Sequence, residues 1–469
     1  MIEGVIEISV DAFLEILDRA HKGAPCEAKD WDRKIIPSKV SEKLKEHGLK
    51  GTCRPECPIN TDDSLADEFF KAGFDLAVET GMLCLDTERV IKFTEEEIRK
   101  TIDRAPSELA LGQGPDRRVI RARKPEDSTK PIAVSPLSIV VSEELWVPLV
   151  QGIMETKEVD VIEGPSFETI CGRPIMAGTP YETLSGMLAA RFHKEAARRA
   201  GRPNMGFLAV GASPTIFGQF GGYGVVGGYD PKNTVALVLS PCEMKTSYAS
   251  LHKVAHAINC GGIVYGGSWS MIGGFPGPPE GAALAGIACA LLQWAVHLAS
   301  WGTCNPMDIR YMGNCGPEAQ WALSVFCQSL SRNTHLLVCA IPNSVAGPCT
   351  DMLLRETAAA TINIATSGAS SADGPRSAGG RYTNYLTPLE CKFMAEVLHG
   401  SAGIKRDHAN EVVRKLIHEY EGELRHPPKG KSFPECYNTK TLEPSREWLD
   451  TYLRVRRELK DLGIPLDDL

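Results

Sequence analysis

Three consecutive pieces decide how this chain folds: TVALVLS (Thr234–Ser240), TSYASLHKVAHAIN (Thr246–Asn259) and GGIVYGG (Gly261–Gly267). The first and third are short and mostly apolar, with Val, Ile and Leu in place of a clean in–out alternation. The middle piece is too long for a strand and spaces its apolar residues for one side of a helix. A mostly apolar strand, a helix and a second such strand make the βαβ unit of a parallel sheet whose faces are covered. The unit repeats in both directions. Strands are predicted at Ile132–Val134, Val159–Glu163, Asn204–Ala209, Thr234–Ser240, Gly261–Gly267, Met307–Gly313, His335–Ile341 and Asn363–Ser367. Between them fall helices at Tyr181–Ala200, Thr246–Asn259, Glu280–Ser300, Pro317–Ser331 and Thr350–Ala360. Eight such units favour a closed (β/α)8 TIM barrel over an open doubly wound sheet. No G-x-G-x-x-G opens a helix after the first strand, which argues against a dinucleotide fold.

Outward from the barrel, the texture changes. Residues 1–125 read as charged amphipathic helices, an N-terminal helical extension packed on the barrel at 126–385; 386–469 reads as a C-terminal helical region. Thr94 with Glu97 three residues on is a capping box. The formal net charge of −8 opposes a nucleic-acid surface, and the one dense basic stretch, Arg117–Lys124, is short. Met1–Asp18 lacks the pattern of a secretory leader. Gly281–Gly302 has no Asp, Glu, Lys or Arg, but Gln293, His297 and Ser300 make it a buried helix rather than a membrane span. Fifteen cysteines, several inside apolar runs, fit free thiols in a cytoplasmic setting. Cys53 and Cys57 have no second pair to complete a zinc site, and no metal is expected.

Barrel chemistry sits in the loops after the strands. That rim is poor in acid/base groups: Glu163 and Glu243 are its carboxylates in this reading, and no histidine belongs to it. Gly266, Gly267, Gly273 and Gly274 would let a bulky group approach the backbone. Trp269, just past a strand, could present an aromatic face to a cation, whereas Tyr265 reads as core. His252 and His256 lie four apart, but Lys253 rather than a glutamate follows the first, and the helix belongs to the outer ring.

Five stretches carry a wider resemblance: AKDWD (Ala28–Asp32), FFKAGF (Phe69–Phe74), AGRPNMG (Ala200–Gly206), AGPCTDM (Ala346–Met352) and KSFPECYNTKTLEP (Lys431–Pro444). With them the chain resembles the monomethylamine:corrinoid methyltransferases from about Lys22 to Ile464. The resemblance implies a barrel in a homo-oligomer, trimer or hexamer, which accepts a separate corrinoid protein at its mouth and holds no tightly bound cofactor. It also implies a pyrrolysine that captures the amine, helped by glutamates and a glutamine. Here those positions fall on Leu208, on Leu237 and Gly267, and on Ile341, while Glu243 matches a family glutamate. Leucine neither forms an amine adduct nor donates a side-chain hydrogen bond.

No catalytic residue is therefore assigned. The expected substrate pocket is Leu208, Leu237, Gly267, Trp269, Ile341, Glu243 and Glu163, and the expected corrinoid-facing rim is Gly266, Ser268, Gly273 and Gly274. The expected activity is pyrrolysine-independent methyl transfer from a pre-activated donor, a quaternary or methylated amine other than monomethylamine, to the partner's corrinoid. The alternative is a non-catalytic homologue that binds a corrinoid protein or a small ligand.

Overall fold

In the computed structural model, residues 10–137, 139–208, 216–224 and 227–467 are described. Eight parallel strands form one sheet: β1 (Ile132–Ser135), β2 (Val161–Glu163), β3 (Gly206–Leu208), β4 (Thr234–Leu239), β5 (Ile263–Ile272), β6 (Trp301–Asp308), β7 (Cys339–Ala340) and β8 (Ser371–Asp373). They neighbour one another in chain order. β8 returns to β1, and a parallel bridge from Gly302 to Val338 joins β6 to the residues entering β7. The ring therefore closes.

Closure separates two apolar regions. Inside lie Ile132, Val134, Val161, Leu208, Val235, Leu237, Ile263, Tyr265, Trp301, Leu337 and Cys339. A hairpin, Glu108–Leu111 with Arg118–Arg121, seals the N-terminal end by adding Leu109, Leu111 and Ile120 to that cluster. Outside, the helices pack on the strands' other faces. Pro279–Val296 is long and apolar enough to cross a membrane, but it is almost wholly buried against the barrel and the helix Asp63–Thr80.

Three expectations change. The sixth strand begins at Trp301, not Met307, because the preceding helix stops at Val296 and leaves the chain free to enter the sheet early. WGTCNPMD has weak strand propensity, and pairing with β5 along eight residues makes it a strand. The eighth strand is Ser371–Asp373; residues 363–366 belong to the helix Asp351–Thr366. The N-terminal extension is not purely helical: Ala24–Pro25, Arg89–Ile91 and Met82–Cys84 build a small sheet that Lys245–Thr246 joins.

Candidate functional site

Parallel pairing carries side-chain direction from strand to strand, since residues in register point to the same face. Val134 and Val161 are paired and inward. Asp373 is the partner of Val134 on the other side, so it too faces the lumen. Two residues beyond Val161, Glu163 takes the same face and pairs with Leu208. The ring continues through Leu208–Val235, Leu237–Tyr265 and Gly267–Thr303. Cys339 pairs with Ser371, and Ile341 follows two residues later.

The lumen thus has two chemically different walls at its C-terminal end. One carries Leu208 and Leu237 on the neighbouring strands β3 and β4, both buried, with Gly267 next in the ring; Ile341, also buried, follows β7 on the far side of β6. A Cβ at Gly267 would lie 2.5 Å from Leu239 Cδ2, so the lack of a side chain there keeps the lumen open under Leu239. The other wall carries Glu163 and Asp373, each 2% exposed. Their carboxyls are within hydrogen-bonding reach. Burial foremost, then the charge of Glu163, holds Asp373 well above the usual carboxylate range. Beneath them the floor is aromatic: Tyr265 and Trp301 meet edge to face at 5.0 Å, and Trp301 Nε1 donates to Ser371 Oγ at 3.0 Å. The Cys339 thiol lies among Asp373, Glu163 and Tyr265 and is pushed up by burial. Burial pulls Arg376 down while the charge of Glu163 opposes this.

Of the expected pocket, Leu208, Leu237, Gly267, Ile341 and Glu163 come together in this lumen. Trp269, half-buried, follows Gly267 by one alternation and takes the lumen side, paired with Asn305. Glu243 does not join them. Its Oε1 accepts from Met271 N at 2.8 Å, its carbonyl accepts from Trp31 Nε1 at 3.0 Å, and it lies near Cys289 and Cys304 behind β5. Burial raises that carboxyl to about 7, and the Lys245–Asp32 ion pair at 2.7 Å lies nearby.

The expected rim divides in the same way. Gly266 and Ser268 occupy the outward register of β5. A Cβ on Gly266 would meet Gln293 and Ala299 at 3.2 Å, and Ser268 Oγ donates to Ser240 O at 3.1 Å. These two face the helical layer, not the mouth, because strand alternation leaves only every second residue for the lumen. Gly273 and Gly274 do lie in the turn after β5, where Gly273 has φ +79°. Around that turn the mouth shows exposed apolar side chains: Leu239, Phe275, Ile309, Met312 and Tyr382. Residues 209–211, also expected on the rim, lie outside the described residues. His252 and His256 sit on the outer helix against Tyr248 and Phe220. Among the described residues, no group of three or more His, Cys, Asp or Glu is arranged to hold a metal ion.

Sequence reasoning missed Asp373. With the last strand placed at 363–367, Asp373 fell beyond the rim. The available clue was the DGP turn (Asp373–Pro375) after SSA, a plausible strand end.

The family model for "Monomethylamine methyltransferase MtmB" matches residues 10–464. Monomethylamine methyltransferase MtmB3 of Methanosarcina barkeri (strain Fusaro / DSM 804) is 32% identical over 453 residues, 96% of this chain and 97% of that protein. MtmB1 of Methanosarcina acetivorans is also 32% identical, with the same coverage. The crystal structure of the Methanosarcina barkeri enzyme superposes with a TM-score of 0.92 at 31% identity, covering 97% of this chain and 98% of that one; its hydroxylamine complex does the same. The match runs through the N-terminal extension, the barrel and the C-terminal helices alike, and the chain belongs to the monomethylamine methyltransferase family.

Proposed function

We propose that this chain is a methyltransferase that takes a methyl group from a small cationic amine, already activated by quaternisation and distinct from monomethylamine, and passes it to a corrinoid carried by a partner protein. The observation that carries this reading is the lumen's asymmetry. Leu208 and Leu237 give the lumen an apolar side, and Glu163 and Asp373 give it an acidic one, above an aromatic floor. An organic cation needs both: apolar surface for its methyl groups, and negative charge or an aromatic face for its nitrogen. Nothing at Leu208, which the resemblance aligns with pyrrolysine, can form an adduct with an amine. A quaternary nitrogen needs none, because its positive charge already makes the departing amine a neutral leaving group.

The mouth suits an acceptor brought from outside. Its exposed Leu239, Phe275, Ile309 and Met312 offer apolar contact, and the Gly273–Gly274 turn leaves the lip low. The corrinoid supplies the cobalt nucleophile when its carrier docks. The chain's own residues hold the donor, exclude water around it and point one methyl toward the mouth, a contribution of position rather than covalent chemistry.

The test is methylation of reduced corrinoid protein, followed by absorbance, across monomethylamine, trimethylamine, quaternary amines and betaines. A quaternary donor is expected to react while monomethylamine stays at the no-enzyme level. Turnover of monomethylamine overturns the reading. Methylation by none of the donors, with the protein folded, turns it toward the non-catalytic homologue.

A further inference from the structure

Glu163 and Asp373 do more than add negative charge to the pocket just described. They stand on β2 and β8, the two strands flanking β1, and both point into the lumen. Asp373 is 2% exposed, and its Oδ1 finds no hydrogen-bond partner among the described residues. The group facing it is a second carboxyl. Two carboxylates cannot donate to each other, so either a proton or a cation must lie between them.

Charge counting around the pair narrows the choice. Among the described residues, the titratable and charged groups facing it are Tyr265 on β5, Cys339 on β7, and Arg376 just past β8 with Arg381 beyond it. Burial keeps the phenol and the thiol protonated and neutral. With one shared proton the pair carries a single negative charge, which Arg376 offsets, and the buried total is near zero. A monocation entering without any other change would leave an uncompensated buried charge, which is costly. A monocation that displaces the shared proton leaves the total as it was.

We propose that Glu163 and Asp373 form a proton-for-cation exchange site: an organic ammonium ion binds between the apolar wall and the pair as the shared proton leaves to solvent. No bond to carbon or nitrogen changes in this step. One O–H bond between the carboxyls is lost, the proton passes to water, and the ammonium takes up the electrostatic role it held. Site occupancy then depends on pH. Below the range in which the pair gives up its proton, affinity falls by about tenfold for each unit of pH. The assignment rests on the pocket proposed above, but its test involves no methyl transfer and no corrinoid protein, so either can fail alone.

The probe is tetramethylammonium chloride, titrated calorimetrically into the full-length protein in two buffers of different ionisation enthalpy. The heats should differ by roughly one proton released per cation bound. Infrared difference spectra should show a protonated carboxyl band in the free protein that disappears when the cation binds. In Asp373→Asn the proton release and the band should both vanish; Glu163→Gln serves as the second variant. Binding without proton release overturns the proposal, as does no measurable binding by folded protein or an unchanged band in Asp373→Asn. Should both variants fail to fold, the wild-type proton count and infrared band decide alone.

Discussion

Buried carboxyls occur in two regions of this molecule, and their surroundings differ. In the helical layer, Glu356 is fully buried and pushed up to about 8 by desolvation. Yet its oxygens accept from Val345 N and Ala346 N at 3.0 to 3.3 Å. Glu390, raised to about 7 by burial, caps the helix Pro388–Gly400 by accepting from Thr387 N at 2.7 Å and Ser377 Oγ at 3.2 Å. Those acids tie loops to helices. In the lumen, Asp373 is equally buried and raised, but it faces a carboxyl instead of donors. Burial raises all of them. Only the supply of donors separates an acid that holds the fold from one placed to meet a ligand.

The largest expected effect breaks the lumen without touching the helical layer. Gly267→Trp would fill the space under Leu239, whose end is exposed and can shift, so folding should survive. Tetramethylammonium binding and methyl transfer should both be lost. Full activity in that variant would remove this lumen as the reaction site.

Next comes Glu356→Ala, which strands two buried backbone N–H groups and should lower unfolding free energy by about 2–6 kcal/mol, since each unsatisfied group costs roughly 1–3 kcal/mol. Urea denaturation checks it. The paired control is Asp373→Asn, whose amide can donate to Glu163, so its stability should stay within about 1 kcal/mol of wild type. Equal losses in the two variants would erase the distinction between the regions.

Trp269→Ala sharpens the picture of the lumen by testing its upper edge. Loss of one aromatic face should cost about 0.5–2 kcal/mol of cation binding, roughly twofold to thirtyfold in affinity, read by the same calorimetry. An unchanged affinity would place the cation lower, on Tyr265 and Trp301.

The smallest effect is a pH slope. Glu243, Glu356 and Glu390 have folded values raised to about 7, 8 and 7 from an ordinary carboxylate range near 4.5. A raised acid contributes stability fully below its unfolded value and loses it as pH rises through the folded value. His193 and His297, which burial holds at about 3 and 4, are neutral in the folded protein, and in the unfolded chain their charge is largely gone above about pH 7.5. Between about pH 7.5 and 8.5, unfolding free energy should therefore fall, and Glu356→Gln should flatten the slope. Stability rising across that window would contradict the burial assigned to these acids.

Much of this was legible in the sequence for a plain reason. Apolar strands buried on both faces need no precise register to be recognised, so β2, β3, β4 and β5 fall where their composition puts them. Glu163 and Leu208 could be placed at the barrel mouth because each ends such a strand, whereas Leu237 was assigned through the family resemblance. The failures share a cause as well. Glu243 was read as lumenal because it follows a strand, but a loop residue's direction is set by what it meets, here Met271 N and Trp31. Gly266 and Ser268 were read as rim because the strand was expected to end at Gly267, although β5 runs on to Ile272 and alternate residues of a strand point to opposite faces.

By itself, the sequence determined the alternation of strands and helices, the parallel order and the places of the first five strands. These follow from local composition and spacing, which every turn of chain carries with it. Only the tertiary structure decided that Trp301–Asp308 is a strand and that Asp373 lies within reach of Glu163. Both depend on the ring closing: pairing with β5 fixes the face of each residue on β6, and β1 brings β2 and β8 to either side of itself. Register between distant strands sets that geometry, and no short window of sequence contains it.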